Sequence, residues 1–422
     1  MNICLVLPRA FPPDGRVERE ARALRADGHA VTLVCANRGG EPTRDHVDGT
    51  RIVRVGTDGV RDGVAYAASA LTNLAVGVHP KWYRTVERVV KRERSDAIHV
   101  HGLTLLQTAL LVGRRRDVAV VSDLRENAAA AIRTQRERTG LRGALARPWL
   151  ATERTLTPPT RWDHLERSCL RRAEHVFTVC AEMKAHYVDR CALDPDRVTV
   201  LTHGVDRDRF AAASTDGGVS VAVADRPGCD DHDDDERRPA ELACVGDFGD
   251  PRGPVTLLSA LERVRRHRQV HLTLVDATDG LERALGEAVR ERGLEDVVTL
   301  ECWADDATVA ERVNGADVLV APAVSTPYTE TTLPRTLLEY MATGAPLVVT
   351  DVAPLERTVT EADAGVVARA GDPAAMADAL CRLLDDPAAA ARYGENARRA
   401  LERRYDWERQ GERLCRQYRR LA

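Results

Sequence analysis

Apolar residues are arranged in two ways along this chain. Short unbroken runs such as NICLVL (Asn2 to Leu7) and AVTLVC alternate with stretches where apolar positions recur at helical spacing, as Val17, Ala21 and Leu24 do before Gly28. An unbroken run of this length predicts a strand buried on both faces, and the wider spacing predicts one face of a helix. The rhythm returns in DAIHV (Asp96 to Val100), VAVVS, HVFTV (His175 to Val179) and RVTVL (Arg197 to Leu201). It breaks at CDDHDDDERRP (Cys229 to Pro239), where six acidic residues surround His232. Such a run repels itself and buries nothing, so it reads as a solvated linker or insertion. The rhythm then resumes with ELACVG, VHLTLVD (Val270 to Asp276), VVTLEC, DVLVAP (Asp317 to Pro322) and PLVVT (Pro346 to Thr350).

Alternating strands and amphipathic helices predict an α/β protein built from two Rossmann-like, doubly wound domains, each a parallel sheet with helices on both faces. The expected boundaries are 1–208, an acidic linker at 209–240, a second domain at 241–403, and a closing helix within 404–422 that crosses back to the first domain. Asp372-Pro373 and Asp386-Pro387 each supply an N-cap followed by proline at a first helical position. With 422 residues the chain exceeds what one hydrophobic core normally serves, which agrees with two domains.

Composition narrows the classes. The chain is 44% hydrophobic and 30% charged with a formal charge of −4, an ordinary soluble balance that excludes a general nucleic-acid binder. Its ten cysteines form no C-x-x-C pair and have no histidine at zinc-ligand spacing, so buried thiols, a reducing compartment and no metal are expected. There is no basic leader and no run of 18 apolar residues, and a cytoplasmic location follows as the expectation. Between Arg133 and Arg172 ten arginines stand against four acids, with Trp149, Leu150 and Trp162 among them. Such a segment lies peripherally on an anionic membrane surface, or forms a charge-rich solvated helix pair.

In open parallel sheets ligands bind outside the carboxyl ends of the strands. After the first strand come Asp14, Gly15 and Arg16, either a turn with a solvent-facing arginine or an anion-binding helix start. After later strands come His101 and the cluster Asp123, Arg125 and Glu126, while His99 reads as a core histidine. In the second half GDFGDPRGPVTLLSAL (Gly246 to Leu261) places glycines and Arg252 just before a helix, which suits a phosphate. Trp303 either stacks on a base or packs on a neighbouring helix. In TETTLPRTLLEYMATGAPLVV (Thr329 to Val349) Pro334 is expected as the first helical residue, with Thr331, Thr332 and Leu333 forming the turn before it. Glu339 then lies beside the core stripe of Leu338, Met341 and Ala342, placed either to accept two hydrogen bonds from a ribose or as a solvated edge residue.

Taken in order, FPPDGRVEREARALRADGHAVTLV, DAIHVHG, VVSDLREN, HVFTVCAEM, VTVLTHGVDRDRF, VGDFGDPRG, ADVLVAP, LPRTLLEYMATGAPLVVTD and the closing YDW resemble the retaining glycosyltransferases of family four. The resemblance implies the GT-B fold, two Rossmann-like domains facing across a cleft. It implies sugar transfer from a nucleotide-sugar donor to a glycan or lipid-linked acceptor, with retention of configuration and without metal or other cofactor. By the same resemblance Glu339, the second acid of E-x7-E, holds the donor ribose, and Arg252 neutralises the diphosphate. Gly15, Gly246, Trp303, Glu330 and the Thr331 to Leu333 turn complete the donor contacts, while Asp14, Arg16, His101 and Glu126 lie on the acceptor side. Arg125, Arg252 and Glu339 are the catalytic candidates. The chain departs from the family pattern at Thr331 in place of the first glutamate, Asp247 in place of an arginine, and Arg125 in place of a histidine. Two rivals are a nucleotide-sugar epimerase of the same fold and a catalytically weak sugar-nucleotide-binding protein.

Overall fold

The computed structural model describes residues 1–37, 39–56, 73, 77–134, 136, 159–205, 238–246, 252–276, 281–302 and 306–422; the side chains of 159, 252, 276, 281–283, 302 and 306–309 are outside the description. The expectations for Trp149, Leu150, His232, Asp247, Trp303 and the Arg252 side chain therefore lie outside the described residues. The chain divides into two compact units, one of residues 1–202 with 408–422 and one of residues 203–407.

The first unit is an eight-stranded sheet in the order β3-β4-β2-β1-β5-β6-β7-β8. Its strands are β1 (Asn2–Ala10), β2 (Ala30–Ala36), β3 (Arg44–Val47), β4 (Thr50–Val55), β5 (Ala97–His101), β6 (Ala119–Leu124), β7 (His175–Thr178) and β8 (Val198–Val200). Neighbours pair in parallel except β3 with β4. The central strands are apolar end to end because helices cover both faces, and Ile3 to Leu7 and Leu33 to Cys35 are all buried. The edge hairpin β3–β4 has no apolar run to announce it, since RDHV is half exposed along its length.

From Glu408 onward the closing helix Trp407–Leu421 belongs to this unit. Its apolar stripe places Leu414, Cys415 and Tyr418 in one core with Leu5, Leu33 and Phe177. Gln410 Oε1 accepts the Thr202 N–H at 3.2 Å, and Arg419 pairs with Asp27 at the far end.

The second unit is a six-stranded, wholly parallel sheet in the order β11-β10-β9-β12-β13-β14. Here β9 is Ala240–Gly246, β10 Val270–Asp276, β11 Val298–Cys302, β12 Val318–Ala321, β13 Leu347–Thr350 and β14 Gly365–Ala368. Leu242, Leu272, Val320 and Val348 join the helix residues Leu257, Leu261, Met376 and Leu380 in its core. Only four residues long, β14 was not expected from the apolar pattern.

Both sheets reverse their winding once. In the first unit the chain runs outward from β1 to β2 and then returns to β5 on the other side of β1; in the second it runs from β9 to β11 and returns to β12 beside β9. At each reversal the loops leaving two adjacent strands diverge, opening a crevice at the carboxyl edge where ligands bind. Among the described residues no helix is long and apolar enough to cross a membrane. Eight described cysteines are unpaired, and all but the half-buried Cys381 are buried.

Candidate active site

At the β1/β5 reversal, the chain turns after β1 into the helix Gly15–Ala26, capped by Asp14 in an extended conformation with its carboxylate accepting the Val17 N–H at 3.1 Å. The same carboxylate accepts two hydrogen bonds from Arg125 Nη1, at 2.7 and 3.0 Å, just beyond β6. These two side chains are the partly exposed members of the cluster, at 11% and 21%. Burial acts to raise the Asp14 carboxyl, but Arg125, joined by His101 and the Val17 N–H, holds Asp14 below the usual carboxylate range. Glu126 beside it is half-buried.

Beneath this pair lies a buried ionic layer. Arg16 donates Nε and Nη2 to the two oxygens of Asp123 at 3.0 and 2.7 Å and Nη2 to Leu201 O at 3.1 Å, and its Nε lies 2.8 Å from Glu20 Oε1. His101 Nδ1 meets Asp123 Oδ2 at 2.9 Å, and His99 Nδ1 meets the Tyr418 hydroxyl at 2.7 Å. The Nε2 atoms of both histidines lie 3.6 Å from Glu20 Oε2.

This arrangement corrects two expectations. Arg16 and His101 are 5% and 2% exposed. Arg16 is neither solvent-facing nor a site for an external anion, because Asp123 and Glu20 already neutralise it, and His101 has no face open to an acceptor. Both act one layer down, fixing Asp123 under Arg125. Glu20 was not expected as part of any site; the signals that could have found it are the i,i+4 spacing of Arg16 and Glu20 and the alternation of His99 and His101, which puts both imidazoles on one face of β5.

At the β9/β12 reversal, β9 ends on Gly246 with φ +138°, a backbone conformation that excludes most side chains, and a Cβ there would stand 3.3 Å from Thr336. Arg252 opens the helix Arg252–Val264. Its neighbour Gly253 lies so close to β12's exit that a Cβ would come within 2.0 Å of the Pro322 carbonyl oxygen. A cavity of about 90 Å³ sits here, lined by Val245, Ala321, Thr332, Pro334, Thr336 and Tyr340 among others. Tyr340 closes its floor, its hydroxyl accepting the Val245 N–H at 2.5 Å and donating to Val245 O at 2.9 Å. The Thr332 hydroxyl is buried against the cavity with no hydrogen-bond partner.

Pro334 is the N-cap of the helix Arg335–Thr343, with ψ 139°, not its first residue; proline's ring favours an extended residue before the helix as readily as its first turn. No side chain caps this helix, and the Leu337 N–H turns back to Pro334 O at 3.3 Å. Glu339 is only 7% exposed and its Oε1 lies 3.3 Å from Arg335 Nε, which corrects the solvated-edge alternative. Glu330 spends both of its carboxylate oxygens on the protein. Its Oε1 accepts the Ser325 hydroxyl at 2.6 Å and its Oε2 the Ala353 N–H at 3.0 Å, so it ties the loop to the start of the helix Ala353–Ala362. Thr331 likewise turns its hydroxyl back to Pro327 O at 2.7 Å, and the Leu333 side chain is buried, leaving its backbone as the group it has to offer. Gly15 opens its helix as expected of a turn residue.

Comparison with known proteins agrees with this geometry. A Glycosyl transferase 4-like domain matches residues 15–204, and Glycosyl transferases group 1 matches residues 239–386. Two parallel α/β units, each matched separately, define a GT-B glycosyltransferase. The chain belongs to the glycosyl transferases group 1 family. It is similar to glycogen synthase of Mycobacterium tuberculosis, 25% identical over 93% of this chain and 87% of that one. Its fold resembles sucrose-phosphate synthase from Thermosynechococcus elongatus, with a TM-score of 0.74 at 19% identity over 100% and 99% of the two chains. It also resembles Anabaena HepE in complex with UDP-glucose, with a TM-score of 0.67 at 13% identity over 99% of each.

Proposed function

We propose that this glycosyltransferase takes its sugar from a nucleoside diphosphate donor held by residues 203–407 and transfers it, with retention and without a metal, to a glycan or lipid-linked acceptor recognised by the first unit. The observation that carries the donor reading is the uncapped start of the helix Arg335–Thr343, beside the Gly246 turn and one helical turn from the buried Glu339. Uncapped amides and the helix dipole attract phosphate oxygens, and a carboxylate nearby accepts hydrogen bonds from vicinal ribose hydroxyls. Arg252, at the start of the adjacent helix, is the expected cation for the diphosphate. Trp303 is assigned to the base by family resemblance, and the HepE complex with UDP-glucose favours a uridine donor as the first to test.

Retention is carried over from the family resemblance, and the first unit supports a path to it without a covalent intermediate. Asp14 has both oxygens committed to Arg125 and one also to the Val17 N–H, so it is a poor nucleophile for a glycosyl-enzyme. Transfer on one face of the sugar is then the economical path. The anomeric carbon bonds to the acceptor oxygen as the bond to the donor phosphate breaks, and that phosphate takes the acceptor proton. Arg125 holds the sugar or acceptor, with Glu126 beside it. The basic segment Arg133 to Arg172 suits a cytoplasmic enzyme working at an anionic membrane surface, which liposome flotation with and without acidic lipid tests.

The deciding experiment is a thermal-shift screen against UDP-, GDP- and ADP-sugars. A donor at ~100 times its Kd stabilises by ~2.7 kcal/mol. No shift with any of them refutes the donor site; conversion of the donor's sugar with no acceptor present would instead establish an epimerase.

A further inference from the structure

The buried layer under Arg125 has an imbalance of charge. Asp14, Glu20 and Asp123 face Arg16 and Arg125, three carboxylates against two guanidiniums, with one negative charge in excess. Glu20, Asp123 and Arg16 are at least nine-tenths buried, where an unbalanced charge is costly.

The hydrogen-bond pattern locates the imbalance. His101 Nδ1 stands between an acceptor, Asp123 Oδ2 at 2.9 Å, and a donor, Arg125 Nη2 at 3.1 Å, and the shorter contact places the proton on Nδ1. Nε2 of neutral His101 is then a lone pair, and it faces a second acceptor, Glu20 Oε2, at 3.6 Å. His99 faces the same oxygen at 3.6 Å, with its Nδ1 against the Tyr418 hydroxyl. If Tyr418 donates to Nδ1, His99 turns an N–H toward Glu20, and the contact between Glu20, whose two buried oxygens have no hydrogen bond, and His101 is left with two acceptors face to face.

We propose that Glu20 and His101 hold one proton in common, and that Glu20 is thereby a positioning residue that keeps Asp123 and Arg125 in place for sugar transfer. One proton neutralises the layer and fills the contact in which two acceptors meet. A divalent cation is the rival, since Glu20, His99, His101 and Asp123 present ligand atoms within 4.8 Å of one another. It would leave one positive charge in excess beside Arg16 and Arg125, and Asp123 already spends its oxygens on Arg16 and His101. Burial, reinforced by Asp123, raises the Glu20 carboxyl, in keeping with a retained proton. Burial and then His101 hold His99 well below the usual imidazole range, in keeping with a neutral ring that takes the Tyr418 hydroxyl as donor. The groups facing the shared proton are Arg16 on Glu20's own helix, His99 on β5, Asp123 and Arg125 on β6 and its exit, and Tyr418 on the closing helix.

The kinetic consequence rests on the role proposed for Arg125, but the proton is tested without it. Imidazole nitrogens of 15N-histidine-labelled protein are followed by NMR from about pH 5 to 10, with His101 assigned by loss of its signals in His101→Gln. In the wild type the His101 Nε2 resonance is expected to move in one step as the shared proton leaves. In Glu20→Gln, which has no carboxyl to share it, that step is expected to vanish. Tyr418→Phe, which leaves Glu20 and His101 intact but removes the donor to His99, is expected to move the step to higher pH because Glu20 loses an N–H facing it. A step that persists in Glu20→Gln, a step unmoved by Tyr418→Phe, or one equivalent of bound metal by elemental analysis overturns the proposal. In a transfer assay the wild type is expected to lose rate at alkaline pH as the shared proton leaves, and Glu20→Gln is expected to lower kcat ~10-fold or more and to show no such fall; an unchanged pH profile overturns the positioning role alone.

Discussion

Arg16 and Asp123, 107 residues apart, form a buried two-point ion pair, Nε to Oδ2 at 3.0 Å and Nη2 to Oδ1 at 2.7 Å. The pair bolts the helix after β1 to the end of β6 and leaves Arg125 poised above it. Removing one partner strands the other charge without water. Asp123→Asn is expected to cost ~3 kcal/mol, read by urea denaturation. Although burial opposes it, Arg16 holds the Asp123 carboxyl well below its unfolded value. Its stabilising contribution is therefore complete above the ordinary aspartate range and lost as pH falls toward the folded value, and Asp123→Asn should show a shallower acid limb of stability.

Glu166 behaves in the opposite sense. Burial raises its carboxyl to about 7, against the hydrogen bond from Tyr187 at 3.1 Å. A raised acid favours the fold below its unfolded value and loses that contribution as pH climbs through about 7. Glu166→Gln, which cannot ionise, should gain ~1–3 kcal/mol relative to wild type between about pH 5 and pH 8, measured as the difference of their denaturation free energies at the two values.

The two glutamates at 330 and 339 should separate cleanly. Glu330 accepts the Ala353 N–H at a helix start, so Glu330→Ala is expected to lose ~1 kcal/mol of stability while donor affinity changes little. Glu339→Ala is expected to weaken binding of the nucleotide-sugar donor ~10-fold or more by calorimetry, the loss of a charge-assisted hydrogen bond. Equal affinities in the two variants would remove Glu339 from the donor site.

Gly253 has a steric test. A methyl at this position meets the Pro322 carbonyl oxygen at 2.0 Å, which forces the helix Arg252–Val264 away from the exit of β12. Gly253→Ala should destabilise the fold by ~1–3 kcal/mol and weaken donor binding, whereas Gly286→Ala, whose Cβ meets nothing closer than 3.8 Å, should do neither.

For Arg125 the geometry distinguishes charge from shape. Arg125→Lys keeps the charge but not the fork by which Nη1 meets Asp14 and Nη2 meets His101, and both it and Arg125→Ala are expected to lower kcat ~10-fold or more with little change in donor affinity. Full activity in the lysine variant would reduce the role of Arg125 to a point charge.

The central strands, the two-unit plan and the closing helix were legible because a strand buried on both faces must be apolar throughout and an amphipathic helix must repeat its stripe. Those are local requirements, written residue by residue in NICLVL, ELACVG and the run through Leu414 and Tyr418. The turn chemistry at Asp14 and the loop before Glu339 could also be read, since caps, prolines and glycines act over a few residues. The roles of Arg16, His101 and Glu330 could not. Whether a charged side chain faces water or another charge depends on what the fold brings to within 3 to 4 Å of it, and Arg16 meets Asp123, His99 meets Tyr418, and Glu330 meets Ala353 only after the sheets have formed. Sequence alone determined the central strands, the helices that cover them and the family; tertiary structure decided which charges remain at the surface of the site and which are spent beneath it, because desolvation and pairing are properties of packed neighbours.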